Sequence, residues 1–343
     1  MKKDVKSVRR FDLFIPLAII LLFASAFKVR AQAAQIPRDT SFTIYQTYVK
    51  QKKYFPDIKI VNPLLPKGVV AEENLVYSVL DNTPYGKREL HLDLYRLDNK
   101  KKYPAVLLIH GGGWSSGDRT QEIPMAQQIA AKGYVTAAVE FRLSPEALYP
   151  AAIHDVKAAI RWMRAHAEQY GIDGKHIAVL GCSSGGQMVN LIGATNGLKK
   201  YEGEGGNAKF SSRVQAVVNI DGISDFTVEE SIANAQKAKE AHKTSADSKW
   251  LGGTYAERPE MWKEASPIYW ISSKSAPVCF INSAIPRFHN GRDEEIKKLR
   301  SFHIYAEVHT ISNTPHPFWF FHPWFNTTLF YTVAFLDKVL KGK

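Results

Sequence analysis

The sequence predicts an α/β fold with a mainly parallel central sheet and helices on both faces. Three observations predict it. Five short runs are apolar without alternation, as strands covered on both faces are. Helical stretches separate those runs, which implies parallel strands with crossovers. Two alternating runs precede them and read as an antiparallel hairpin at the sheet edge.

The elements follow in chain order. Residues 1–33 read as a secretory signal peptide, because Lys2, Lys3, Lys6, Arg9 and Arg10 precede the apolar run 13–27, and Ala31-Gln32-Ala33 offers small residues at cleavage spacing. A membrane anchor needs about 20 apolar residues, and this run is shorter and carries Pro16. The expectation is an exported protein, periplasmic or secreted, with no stable membrane anchor. Residues 34–73 carry Pro37, Pro56, Pro63 and Pro66 and read as an N-terminal extended arm. The domain 74–343 begins with the hairpin runs 74–79 and 89–95, with the turn between them at 82–87. The buried strands are 105–109, 134–139, 177–180, 214–220 and 278–281, and 304–308 is a further strand-like run. Helices are expected at 152–170, 187–194 and 294–300. The main interruption, about 226–266, holds an Ala, Lys and Glu-rich helical stretch at 229–243 and reads as a small cap insertion.

Composition bounds the possibilities. The chain has 343 residues, 45% of them hydrophobic, with 22 Gly and 17 Pro, which excludes disorder, collagen and coiled coil. Its two cysteines, Cys182 and Cys279, lie in apolar runs and read as buried free thiols, so neither a disulfide framework nor a cysteine-rich zinc site is available. Residues 1–33 hold seven basic and two acidic residues, so without them the net charge falls from +12 to about +7. That excess suits a polyanionic partner, but lysines scattered over a solvated surface give the same total and are the preferred explanation. No basic cluster interleaves with aromatics, which disfavours nucleic acid. Oligomeric state is not legible.

Three separated pieces fit one reaction. Gly181-Cys182-Ser183-Ser184-Gly185 follows a predicted strand and opens a predicted helix. A serine on so sharp a turn needs glycine neighbours, and the turn raises its hydroxyl above the sheet at a helix N-terminus. Ser183 is the candidate nucleophile. His110-Gly111-Gly112-Gly113-Trp114 ends another buried strand and leaves backbone N–H groups uncovered for an anion. Gly112 and Gly113, with the amide of Ser184, are the candidate oxyanion hole; the Gly-Lys-Ser/Thr ending of a phosphate loop is missing. His316, in a loop after the last strand, is the candidate base. His309 and His322 read as packed structural histidines, His110 as shaping the glycine loop, and His154 as lying at a helix start.

A carboxylate must hold the far nitrogen of the base. The strand run 278–281 is followed by Asn282-Ser283-Ala284-Ile285-Pro286-Arg287, without one. Asp221, at the end of the preceding strand, is preferred, because a strand end fixes a side chain better than a loop does. Asp293 is the alternative and Asp225 the third choice. No Cys, His, Asp or Glu set stands at metal-ligand spacing, and neither metal nor cofactor is implied.

Together His110-Gly-Gly-Gly-Trp, Phe141-Arg-Leu-Ser-Pro-Glu, the stretch 149–162, Gly181-Cys-Ser-Ser-Gly-Gly and the His316 loop resemble the α/β-hydrolase esterases that include acetylxylan and feruloyl esterase-like carbohydrate esterases. The resemblance runs from about residue 74 to 340 and implies the α/β-hydrolase fold and the roles just given to Ser183, His316, Gly112, Gly113 and Ser184. The segment 281–293, with Asn219-Ile-Asp-Gly and the aromatic run 315–325, looks similar to exported bacterial hydrolases associated with pectin de-esterification.

This implies a polysaccharide or oligosaccharide ester as substrate, with methyl-esterified pectin favoured and acetylated xylan or pectin as the alternative. If galacturonate is bound, Arg292 or Arg287 would pair with its carboxylate; a surface arginine is the equal alternative. Trp319, Trp324 and Phe325 would stack on sugar rings, or pack as a core. A serine peptidase and a non-catalytic carbohydrate-binding homologue remain as rival classes. A lipase lid would be apolar, whereas 229–249 is polar.

Overall fold

Strands form where apolar residues run without interruption. In the computed structural model, which describes residues 35–342, they make one eight-stranded sheet. The signal-peptide reading of 1–33 lies outside the described residues. β1 (Val69–Thr83) and β2 (Gly86–Leu97) are an antiparallel hairpin with register shifts along it. Then come β3 (Tyr103–Ile109), β4 (Val135–Val139), β5 (Ile172–Cys182), β6 (Ala216–Ile220), β7 (Val278–Ser283) and β8 (Ala306–Ile311). The spatial order is β1-β2-β4-β3-β5-β6-β7-β8. β2 pairs antiparallel with β4, and every neighbouring pair from β4 to β8 is parallel.

Side chains alternate across this sheet, so each central strand feeds two cores. On β3, Ala105, Leu107 and Ile109 join one core and Val106 and Leu108 the other. The first core is covered by α3 (Ala151–Ala165) and α4 (Ser184–Ala194), through Ile153, Ile160, Leu191 and Ile192. The second is covered by α2 (Ile123–Ala130) and α9 (Trp324–Lys341), through Met125, Ile129, Phe335 and Leu336. Each such side chain, once buried, contributes roughly 1.5–3 kcal/mol. Together they hold the carboxyl ends of β3, β5, β6 and β7 side by side.

Two segments outside this framework shape that end. The arm expected to be extended over 34–73 instead contains α1 (Ile44–Gln51), where the hydroxyl of Thr43 accepts from the Gln46 amide at 3.1 Å and caps a helix, and its last residues, from Val69, already belong to β1. This segment is tied down twice. Asp39 bridges to Ser116, and residues 59–60 pair antiparallel with 321–322. The insertion between β6 and β7 folds as α5 (Glu229–Glu240), α6 (Ala246–Leu251) and α7 (Pro259–Ala265). Trp250 and Trp262 anchor it; both are fully buried, and the Trp250 ring stacks on Trp114 at 4.9 Å. One more helix, α8 (Arg292–Ser301), links β7 to β8. Among the described residues no helix is long and apolar enough to cross a membrane.

Candidate active site

At the end of β5 the chain must turn from strand to helix within one residue. Ser183 makes that turn with φ 55° and ψ −118°, a conformation costly for a residue with a Cβ. The turn persists because its neighbours leave no room for anything else. A Cβ on Gly185 would lie 2.3 Å from the Ile109 carbonyl oxygen. The Ser183 amide is also fixed, donating to the Ile220 carbonyl at 2.7 Å. The hydroxyl is thereby lifted off the strand end, beside the N-terminus of α4.

The loop after β8 brings His316 to it. Its Nε2 lies 2.8 Å from Ser183 Oγ, and its Nδ1 lies 3.0 Å from Asp221 Oδ2. Asp221, only 1% exposed, follows the last residue of β6. Its other oxygen, Oδ1, accepts from the Ser283 amide at 2.7 Å and from Asn282 Nδ2 at 3.3 Å. The structure therefore joins Ser183, His316 and Asp221 in one relay. Asp293 stays outside it: its side chain is 73% exposed and is paired with Arg292 Nε at 2.8 Å.

His316 stacks on Phe288 at 3.6 Å between ring centres, nearly parallel, and meets the edge of Trp319 at 5.3 Å. Burial between these rings lowers the imidazole below its ordinary basicity; the Asp221 carboxylate opposes that shift, and the Arg287 charge adds to it. That direction favours the neutral ring, whose Nε2 faces the Ser183 hydroxyl.

The glycine loop lies against the serine. A Cβ on Gly111 would come within 3.1 Å of Ser183 Cβ, and one on Gly112 (φ 123°) within 2.1 Å of the Ser116 carbonyl oxygen, so the loop can close this tightly only with glycine there. The amides of Ser115 and Ser116 donate to the Gly112 carbonyl at 3.3 and 3.0 Å. His110 is buried behind, stacked on Phe141 at 4.5 Å, with its Nδ1 2.7 Å from the Gly111 carbonyl oxygen. Gly112, Gly113 and Ser184 line one cavity of ≈480 Å³ with Ser183 and His316. Its other walls include Ser41 and Phe42, Glu230, Ser231, Asn234 and Asp247 of the insertion, and Arg287, Phe288 and Asn290.

Two expected substrate contacts fall elsewhere. Gly291 turns the chain with φ 77° at the start of α8 and sends Arg292 behind the acid, where its Nη1 donates to Asn282 Oδ1 at 3.1 Å. Of the two arginines considered, Arg287 reaches the cavity and Arg292 does not. Trp319 is 3% exposed and packed in the second core, as Phe325 is, and Trp324 lies edge-on to Phe55 at 5.2 Å. A packed core accounts for these aromatics.

Sequence reasoning missed Asn282 and Ser283 as groups that hold Asp221. Asn282 offered a signal, a side-chain donor at a strand end that lacks a carboxylate, whereas the Ser283 contact is a backbone amide that most residues would supply. It also missed Phe288 and the cavity walls at 41–42, which no local pattern marks. One set of metal-ligand side chains went unnoticed as well: Cys279, Glu307 and His309 bring ligand atoms within 4.8 Å of one another. Among the described residues Glu307 is already engaged by His309 at 3.1 Å and by the Tyr305 hydroxyl.

A family model, BD-FAE, matches residues 92–300, a span that includes Ser183 and Asp221 and stops before His316. The chain is 32% identical over 216 residues to esterase LipC of Mycobacterium tuberculosis, covering 62% of this chain and 50% of that protein. It is 36% identical over 147 residues to the probable carboxylic ester hydrolase LipM of the same organism, covering 42% and 33%. The chain thus spans half or less of the length of these relatives. A solved bifunctional GH43-CE protein of Bacteroides eggerthii superposes with a TM-score of 0.64 at 26% identity, over 78% of this chain and 38% of that one. A truncated carbohydrate esterase from gut microbiota gives 0.62 at 24% identity, over 79% and 98%, and shares the fold.

Proposed function

Because this chain belongs to the BD-FAE family of α/β-hydrolase esterases, we propose that it is a serine carboxylic-ester hydrolase acting on esterified plant cell-wall polysaccharide, with methyl-esterified pectin as the favoured substrate. The observation that carries the ester-hydrolase reading is the relay from Ser183 Oγ through His316 to Asp221, at 2.8 and 3.0 Å, opening into a cavity lined by Gly112, Gly113 and Ser184. His316 Nε2 takes the Ser183 proton as the oxygen attacks the ester carbonyl. Asp221 holds the Nδ1 proton and stabilises the imidazolium that forms. The Gly112, Gly113 and Ser184 amides receive the negative charge of the tetrahedral intermediate. His316 then protonates the leaving alcohol, and the same groups activate water to release the acyl-enzyme. Every proton moves through this chain's own residues, and no cofactor is called on.

The carbohydrate part of the proposal is supported by the similarity to the GH43-CE protein, and the pectin part only by the resemblance of 281–293, 219–222 and 315–325 to exported bacterial hydrolases associated with pectin de-esterification. For a galacturonate methyl ester the sugar acid is the acyl group and methanol leaves first; for an acetyl ester the sugar leaves first. The proposal includes export, supported by the signal-peptide reading of residues 1–33. The test is methanol and acetate release from methylated pectin, acetylated pectin and acetylated xylan, with Ser183→Ala beside the unchanged protein. Methanol from pectin, lost in the variant, is the expected result. Acetate alone would replace the methylesterase by a deacetylase. Cleavage of p-nitrophenyl acetate with no polymer hydrolysed would end the polysaccharide reading, and inertness toward every ester would end the enzyme reading.

A further inference from the structure

Arg287 stands apart from the other arginines near the sheet end. It lies in the short helical turn Pro286–His289 after β7, exposed, and lines the same cavity as Ser183. Its guanidinium carbon sits 4.4 Å from the centre of the Phe288 ring, which in turn stacks on His316 at 3.6 Å. Stacking of this kind fixes the plane of a guanidinium and leaves its N–H groups unused. Arg292 is already bonded to Asn282 and Asp293, and Arg142 to Asp155. By contrast, among the described residues the Arg287 guanidinium has no hydrogen-bond or ion-pair partner. It is also the one lysine or arginine among the described residues that line this cavity.

The insertion supplies groups of the opposite kind. Glu230 accepts from Asn290 at 3.3 Å, and Asp247 Oδ1 from the Ser248 amide at 3.1 Å, so both carboxylates keep lone pairs for further donors. A sugar hydroxyl is such a donor, whereas an anion would be repelled there. The cavity therefore offers one place for a carboxylate, at the guanidinium beside His316.

We propose that Arg287 is a specificity-determining residue that pairs with a carboxylate on the ester-bearing sugar or on the sugar next to it, making an anionic sugar ester, a uronate, the preferred substrate over its neutral counterpart. The proposal rests on the ester-hydrolase reading of this cavity and adds to it the charge of the substrate. A planar fork of N–H donors facing a carboxylate makes two parallel charge-assisted hydrogen bonds, which a neutral sugar does not offer.

The experiment compares kcat/KM on acetylated polygalacturonate and on acetylated xylan for the unchanged protein, Arg287→Gln and Arg287→Lys. The uronate-to-neutral ratio is expected to fall about tenfold or more in Arg287→Gln. Arg287→Lys should keep part of it, as a point charge without the fork. An unchanged ratio overturns the proposal. So does an equal loss on both polymers, the result expected if Arg287 only steadies Phe288 against His316. Calorimetric titration of trigalacturonate and of galactotriose needs no turnover. Tighter binding of the anion, lost in Arg287→Gln, supports the proposal even if neither acetylated polymer is hydrolysed; the polysaccharide-esterase reading fails only if methylated pectin is left uncleaved as well. Equal binding, or none, by the unchanged protein overturns it.

Discussion

Asp221→Asn tests the relay at its least predictable member. The carboxylate has two oxygens with different duties: Oδ2 faces His316 Nδ1 at 3.0 Å, and Oδ1 receives the Ser283 amide at 2.7 Å and Asn282 Nδ2 at 3.3 Å. An amide of the same shape cannot serve both sides. With its NH2 toward His316, the ring must carry its proton on Nε2 and can no longer accept the one on Ser183. With its oxygen toward His316, the NH2 confronts the donors of Ser283 and Asn282, and a buried polar group is left unpaired at a cost of about 1–3 kcal/mol. The first arrangement spares the fold and so should dominate. The expected outcome is a fall in kcat of ~10³–10⁴-fold, equivalent to roughly 4–5.5 kcal/mol of transition-state stabilisation, in a protein that still unfolds cooperatively. Initial rates on p-nitrophenyl acetate and a thermal melt measure both. Asp293→Asn, which alters only an exposed pair, should stay within about twofold. An Asp221→Asn enzyme keeping more than a tenth of the activity would refute this account of how the base is oriented.

Three further outcomes concern protons. Because His316 is held below its ordinary value of 6.5, the acid limb of kcat/KM should have its midpoint below that value; a midpoint at or above 6.5 would contradict the neutral-base assignment. Arg287→Gln removes a charge that depresses the ring and should move the limb upward. Glu295 is fully buried beside Asn190, and burial raises its carboxyl from 4.5 to about 7. The folded state therefore holds this proton more tightly than the unfolded chain does. Stability is unaffected below pH 4.5, falls as pH rises through 7, and stays lower above it, by on the order of 3 kcal/mol. Glu295→Gln should melt like the parent at pH 4.5 and at a higher temperature at pH 8.5. A melting difference independent of pH would count against the burial argument.

The strands at 105–109, 177–180 and 278–281 were legible because a strand covered on both faces leaves no polar position to blur the run. Ser183 was legible because its turn excludes Cβ atoms at fixed offsets, a local requirement that leaves a local mark. Helix α1 was not, since its one signal, the cap at Thr43, sits in a stretch punctuated by prolines. The choice between Arg287 and Arg292 depends on the direction in which the chain leaves Gly291, and composition does not encode that. The acid was legible from its place at a strand end, but the groups that hold Asp221 come from a neighbouring strand and leave no mark beside it. The cavity walls at 41–42 and 230–247 lie far along the chain from Ser183 and meet it only after folding.

This division of the cavity has a consequence for how the protein can change. Ser183 and Asp221 sit at strand ends packed between two cores, and His316 on a loop buried against Phe288 and Trp319, where a substitution disturbs many neighbours at once. Ser41 and Phe42, the insertion helices and the turn at 286–289 instead form walls of the cavity, the insertion held by the buried Trp250 and Trp262, and none of them supplies Ser183, His316 or Asp221. Substrate range can therefore drift by exchanging whole wall segments, one at a time, while the hydrolytic core is inherited intact. A designer seeking a new ester would graft those segments and leave the sheet alone.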